Sequence, residues 1–137
     1  MNRKDFQELS KIRLREAQAL LDLGLYDGAY YLAGYAVECA LKACIAKGTQ
    51  RYEFPDKKRV DSSHTHNLRE LVRLADLEDA RKEASRASEK FRLNWDVILD
   101  WSEQCRYQRI DPESARLLLK AVGERQHGII AWLKRYW

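Results

Sequence analysis

The chain has 137 residues, the size of one domain, and can bury roughly two-thirds of its unfolded surface without disulfide or metal staples. It has no run of about 18 apolar residues, which excludes a membrane-spanning helix. A net charge of +4 and a pI near 9.0 admit a phosphate-bearing ligand but do not require one.

Proline is confined to Pro55 and Pro112, and long stretches rich in Ala, Leu, Glu, Arg and Lys favour helix. A first helix is predicted from about Asn2 to Leu23. Phe6, Leu9, Ile12 or Leu14, Ala17 and Leu20–Leu21 recur in it at helical spacing. Gly24 is its expected stop. Asp27 is read as the cap of a second helix running to about Lys47, before Gly48. Tyr30, Gly34, Val37, Leu41 and Cys44–Ile45 make its stripe, thickened by five alanines. Small residues let neighbouring helices approach closely, so this helix is expected at the centre, in an antiparallel hairpin with the first.

Residues 49–63 are polar and basic, with Lys57, Lys58 and Arg59, and are expected to be partly disordered. Asn67 with Glu70 resembles a capping box and starts a short third helix. A fourth helix is expected over about Leu77–Tyr107, with a break near Ala80. Asp111 as N-cap and Pro112 at the first helical position open a fifth, running to the end. Gly123 and Gly128 are expected to weaken that helix by about 1 kcal/mol each. The whole reads as one all-α domain over residues 1–137, an antiparallel up-and-down bundle of four to five helices.

The three cysteines, Cys39, Cys44 and Cys105, include no CxxC pair. They are expected to be free thiols of a reducing, cytoplasmic setting. The charged start, Met1–Asp5, has no apolar run after it and is not expected to be a signal peptide. His64, His66 and His127 lack the spacing of a zinc site, so neither metal nor cofactor is assigned.

Three groups could carry chemistry. Glu38 precedes Lys42 by four residues, a favourable helix pair that is either a surface or interface ion pair or a charged pair near a cleft. His64 and His66 precede the third helix, where a histidine can exchange protons near neutral pH or merely help cap the helix. Arg59 lies five positions before His64, a spacing that metal-free RNA cleavage could use. Arg106, Tyr107 and Arg109 follow Trp101 at a helix end. Arginine beside an aromatic ring suits phosphate and base contact, or a helix end with its aromatics packed inward. Trp132, Tyr136 and Trp137 are read as core or dimer contacts.

The segment from Leu20 to Ala43, with Tyr26-Asp27-Gly28-Ala29 and Ala36-Val37-Glu38-Cys39-Ala40-Leu41-Lys42-Ala43, resembles the signature of the HEPN family (higher eukaryotes and prokaryotes nucleotide-binding). His66-Asn67-Leu68-Arg69-Glu70-Leu71 resembles its H-D-L-x-x-L element, and Arg106-Tyr107 its R-Y element. The resemblance implies a helical bundle, often dimeric and often encoded with a small nucleotidyltransferase as toxin and antitoxin. It also implies binding of a nucleotide or RNA. On it, Lys42, Glu38, Tyr107, Arg109 and Arg69 are candidate ligand contacts, and Arg106, His66 and His64 candidate catalytic groups. Catalytic members are metal-independent RNases with an Arg-(four to six residues)-His motif. After Arg106, the corresponding positions Asp111, Pro112 and Glu113 hold no histidine. The leading expectation is a binding module; an RNase toxin and a purely structural dimer are the alternatives.

Overall fold

A computed structural model describes residues 1–50 and 64–137. Expectations for the 51–63 segment, including Pro55, Lys57, Lys58 and Arg59, lie outside the described residues.

Helix α1 spans Arg3–Asp22. Asn2 caps it and exchanges bonds with Asp5 in a complete capping box. Gly24, at φ +75°, ends it in the left-handed geometry that glycine adopts without cost. Leu14 packs against the core, whereas Ile12 is exposed.

Helix α2, Tyr26–Gln50, continues past Gly48. Asp27 is not its cap. It lies in the first turn, and its Oδ1 accepts the Ile110 backbone N–H at 2.6 Å, which ties α2 to the start of the last helices. The alanine-rich face is fully buried: Ala29, Ala33, Ala36, Ala40 and Ala43 are all at 0% exposure. Their small side chains let α1, the segments Leu68–Leu74 and Glu103–Tyr107 and both last helices pack around α2, the expected central position.

Helix α3, Leu68–Leu74, starts at Asn67, whose side chain accepts the Glu70 backbone N–H at 3.1 Å. The long fourth helix of the sequence reading is three pieces: α4 (Glu78–Ala87), α5 (Glu89–Leu99) and a 3₁₀ turn, Glu103–Tyr107. The break falls at Ser88, not Ala80. Ser88 turns extended (φ −144°, ψ 118°), and its hydroxyl caps α5 by accepting from Phe91 N. That matches the preference of serine for caps over helix interiors. Asp111 and Pro112 open α6, Pro112–Gly123, as expected. This helix does not run to the end; after a turn, α7 covers Ile129–Leu133.

The topology is read from paired positions. Ser10 Oγ donates to Ala36 O, and Leu20 meets Gly28, so α1 and α2 are antiparallel. Trp132 touches Phe91, Cys44 Sγ lies 3.8 Å from Leu133 O, and Trp101 covers Gly34. Thus α5 runs against α2, while α6, which starts beside Asp27, runs with it, and α7 lies by the end of α2; this gives the expected up-and-down bundle. Trp95, Trp101 and Trp132 are buried in its core; Tyr136 and Trp137 pack at the edge. No described helix is long and apolar enough to cross a membrane.

Candidate functional site

Glu38 lies on α2 with 1% of its surface exposed. A carboxylate so buried needs partners, because transfer from water without them costs several kcal/mol. Two are present. Lys42 Nζ, one turn on, donates to Glu38 Oε2 at 3.2 Å. His66 Nδ1 lies 3.0 and 3.1 Å from the two Glu38 oxygens. The pair is therefore not a surface ion pair: the Lys42 side chain is itself only 16% exposed and serves to neutralise Glu38.

His66 reaches Glu38 because of the turn before α3. Thr65 Oγ1 accepts the Asn67 backbone N–H at 3.1 Å, and Asn67 caps the helix. The capping role considered for the histidines thus belongs to Asn67. The other His66 nitrogen, Nε2, lies 2.8 Å from Glu103 Oε2. His66 thus bridges buried Glu38 on α2 to Glu103 on the 3₁₀ turn.

The 3₁₀ turn completes the chain. In 3₁₀ geometry, side chains three apart eclipse. Glu103 and Arg106 accordingly pair, with Arg106 Nη2 3.2 Å from Glu103 Oε1. Trp101 and Cys105 anchor this segment in the core at 4% and 3% exposure. Arg106 is left 42% exposed, its guanidinium 4.8 Å from the ring centre of Tyr107, which is 74% exposed. Desolvation pulls the Arg106 pKa down, but Tyr107, the Tyr31 hydroxyl and Glu103 outweigh it and hold the group above its ordinary value. Tyr31 in turn stacks between Tyr35 and Trp101, at 6.1 and 6.3 Å.

The structure therefore joins Lys42, Glu38, His66 and Arg106 in one line of charge, with Tyr107 at its surface end. The other candidates lie elsewhere. Arg109 is 99% exposed and 3.9 Å from Asp27; Asp27 is eleven residues before Glu38, about 16 Å along α2 at the helical rise. Arg69 lines a separate hollow of about 300 Å³ with Glu78, Arg81 and Trp95. His64 is exposed and bonded to none of this group. Glu103 stands inside the Trp101–Tyr107 stretch but has no role of its own in the sequence reading. Its spacing of three from Arg106 signals the pair in either helix type, whereas its contact with His66, 37 positions earlier, has no local signal.

Among the described residues no group of three or more His, Cys, Asp or Glu could hold a metal. The three cysteines are free and buried. Burial raises their thiols, to about 11 for Cys39 and Cys105 and about 12 for Cys44. Thiols raised in this way hold little of the nucleophilic thiolate at neutral pH.

The family model for the HEPN domain matches residues 4–136. The chain belongs to the HEPN domain family. No curated protein and no solved structure matches it. The HEPN match covers this whole arrangement, from Tyr31 to Tyr107, and at family level supports a nucleotide- or RNA-related module.

Proposed function

We propose that this HEPN domain binds a nucleotide or RNA, with Arg106 holding a phosphate and Tyr107 offering a stacking face. The observation that carries the reading is the Glu38–His66–Glu103 chain behind Arg106. It fixes an exposed guanidinium over an exposed ring, so little side-chain freedom is lost on binding. Arginine suits phosphate because its planar fork donates two parallel bonds. Homodimerisation, and pairing with a nucleotidyltransferase in a toxin–antitoxin arrangement, belong to the same proposal and follow family habit.

Titrating a fluorescent single-stranded RNA octamer and, separately, ATP tests it. Affinity for at least one should appear at low salt, fall as salt rises, and drop about tenfold in Arg106→Ala, the order of one phosphate contact. Absence of binding to both at low salt refutes it.

The RNase alternative draws on one feature: His66 and Arg106 share the Glu103 carboxylate. Proton transfer, however, needs a histidine nitrogen that can reach the substrate. Both His66 nitrogens face protein carboxylates. We therefore read His66 as a positioning residue. In EDTA the purified protein is expected to leave RNA intact; cleavage lost in both Arg106→Ala and His66→Ala would restore the enzyme.

A further inference from the structure

A second surface is built from elements the Arg106 site does not use. A groove of about 620 Å³ runs between α1 and α6 and reaches Lys134. From α1 it takes Lys11, Leu14, Arg15, Gln18 and Leu21; from α6, Arg116, Leu119, Lys120 and Gly123. Both sets recur at three and four residues, so each helix presents one continuous face. The floor is aliphatic, made by Leu14, Leu21 and Leu119. The rim carries five cations, with Lys134 the fifth.

Among the described residues little answers that charge. Among the described lining residues Glu124 is the one acid, and its carboxylate accepts the His127 backbone N–H, with that bond and a second to Gln126 holding it below the usual carboxylate range. Lys11 pairs with Glu8 at 3.2 Å, a surface contact of little energetic weight. Arg15 and Lys120 have no ion pair among the described residues.

We propose that this groove seats an acidic amphipathic helix from a partner protein. Charge complementarity and shape commit it to that occupant. The α1 side from Lys11 to Leu21 is about 15 Å long at the helical rise, nearly three turns. An incoming helix laying leucines on the floor would place its flanking carboxylates against the rim. A nucleic acid fits the floor less well, because bases stack on aromatic faces. The aromatic rings that touch the rim cations lie outside the lining and already face those cations: Tyr26 meets Arg116 at 5.6 Å, and Trp137 meets Lys11 and Lys134, each at 5.9 Å.

The probe is a fluorescein-labelled 14-residue peptide, leucine at every third or fourth position and glutamate beside each leucine. Its controls are a scrambled peptide of the same composition and a single-stranded RNA 12-mer. Wild-type protein is expected to bind the patterned peptide about tenfold tighter than the scrambled one. Arg15→Glu/Lys120→Glu is expected to lose about tenfold, as rim charges tune such contacts. Arg73→Glu/Lys82→Glu, with the same charge change on α3 and α4, is expected to lose under about twofold. Circular dichroism confirms that each variant is folded, and the single changes Arg15→Ala and Lys120→Ala should each give part of the loss. No binding of the patterned peptide, or equal binding of the scrambled one, overturns the proposal. So does RNA that displaces the peptide and itself loses affinity to the rim reversal, which would make the groove a nucleic-acid surface.

Discussion

Gly34→Ala should destabilise the bundle although alanine is the better helix former. A Cβ at Gly34 would stand 2.1–2.2 Å from three atoms of the Trp101 indole, where ordinary contact begins at 3.4 Å. The shortfall is above an ångström, against a rigid ring that is itself only 4% exposed. Relief requires α2 to move from the Trp101 segment, or the indole to leave its place against Tyr31. Overpacking of this kind costs typically about 1–3 kcal/mol, more against a ring that cannot rotate away. The helix propensity of alanine returns about 1 kcal/mol. With the overpacking at the top of that range, a net loss of about 2 kcal/mol is expected, read as a lowered midpoint in urea at unchanged slope. In a Trp101→Ala background the clash is gone, and Gly34→Ala should become neutral or stabilising. Trp101 leads directly into the Glu103–Tyr107 turn, so the single variant should also weaken RNA binding. A Gly34→Ala protein as stable as wild type, or one whose cost survives in the Trp101→Ala background, refutes the reasoning.

The two late glycines should respond oppositely. Gly123→Ala meets only Leu14, at 3.8–3.9 Å, and is expected to be neutral or stabilising by a few tenths of a kcal/mol at a helix end; Gly128→Ala meets the Glu124 carbonyl oxygen at 2.2 Å and should cost about 1–3 kcal/mol in urea melts. Equal effects would contradict this. With thiols pushed to about 11, 11 and 12, Cys39, Cys105 and Cys44 should resist Ellman's reagent in the native protein and react fully in denaturant; a thiol labelled within seconds in the native state would overturn it. Hydrogen bonds from the Ser114 side chain and backbone hold the Asp111 carboxyl below its ordinary value. Its contribution is present above the usual carboxylate range and lost as pH falls through the depressed value, so wild type should lose more stability than Asp111→Asn between pH 5 and the acid limit. Identical acid profiles would contradict the cap.

The sequence made the bundle legible because apolar spacing and end signals agree along most of it. Asn2, Gly24, Asn67, Asp111 and Pro112 each act where local chemistry places them. The fourth helix misled because Ser88 sits inside a periodic stretch, where tertiary contact rather than pattern decides. Its hydroxyl is within 3.2 Å of His127 Nδ1, and Asn94 donates to the His127 carbonyl. Those partners lie over thirty residues away, beyond any local signal. Asp27 misled for the same reason: it looks like a cap and instead bonds to Ile110. Within the site, the Glu38–Lys42 pair was readable from spacing. Its burial and the arrival of His66 and Glu103 were not, because they depend on how α3 and the 3₁₀ turn lean on α2.

The central claim is that His66 acts on the ligand only through Arg106, and a double-mutant cycle on RNA affinity tests it most directly. Arg106→Ala should cost about tenfold and His66→Ala somewhat less, with circular dichroism confirming the fold. The double variant should bind no worse than Arg106→Ala alone, since the positioning residue then has nothing left to position. Losses that simply add would contradict the account and put His66 on the ligand itself.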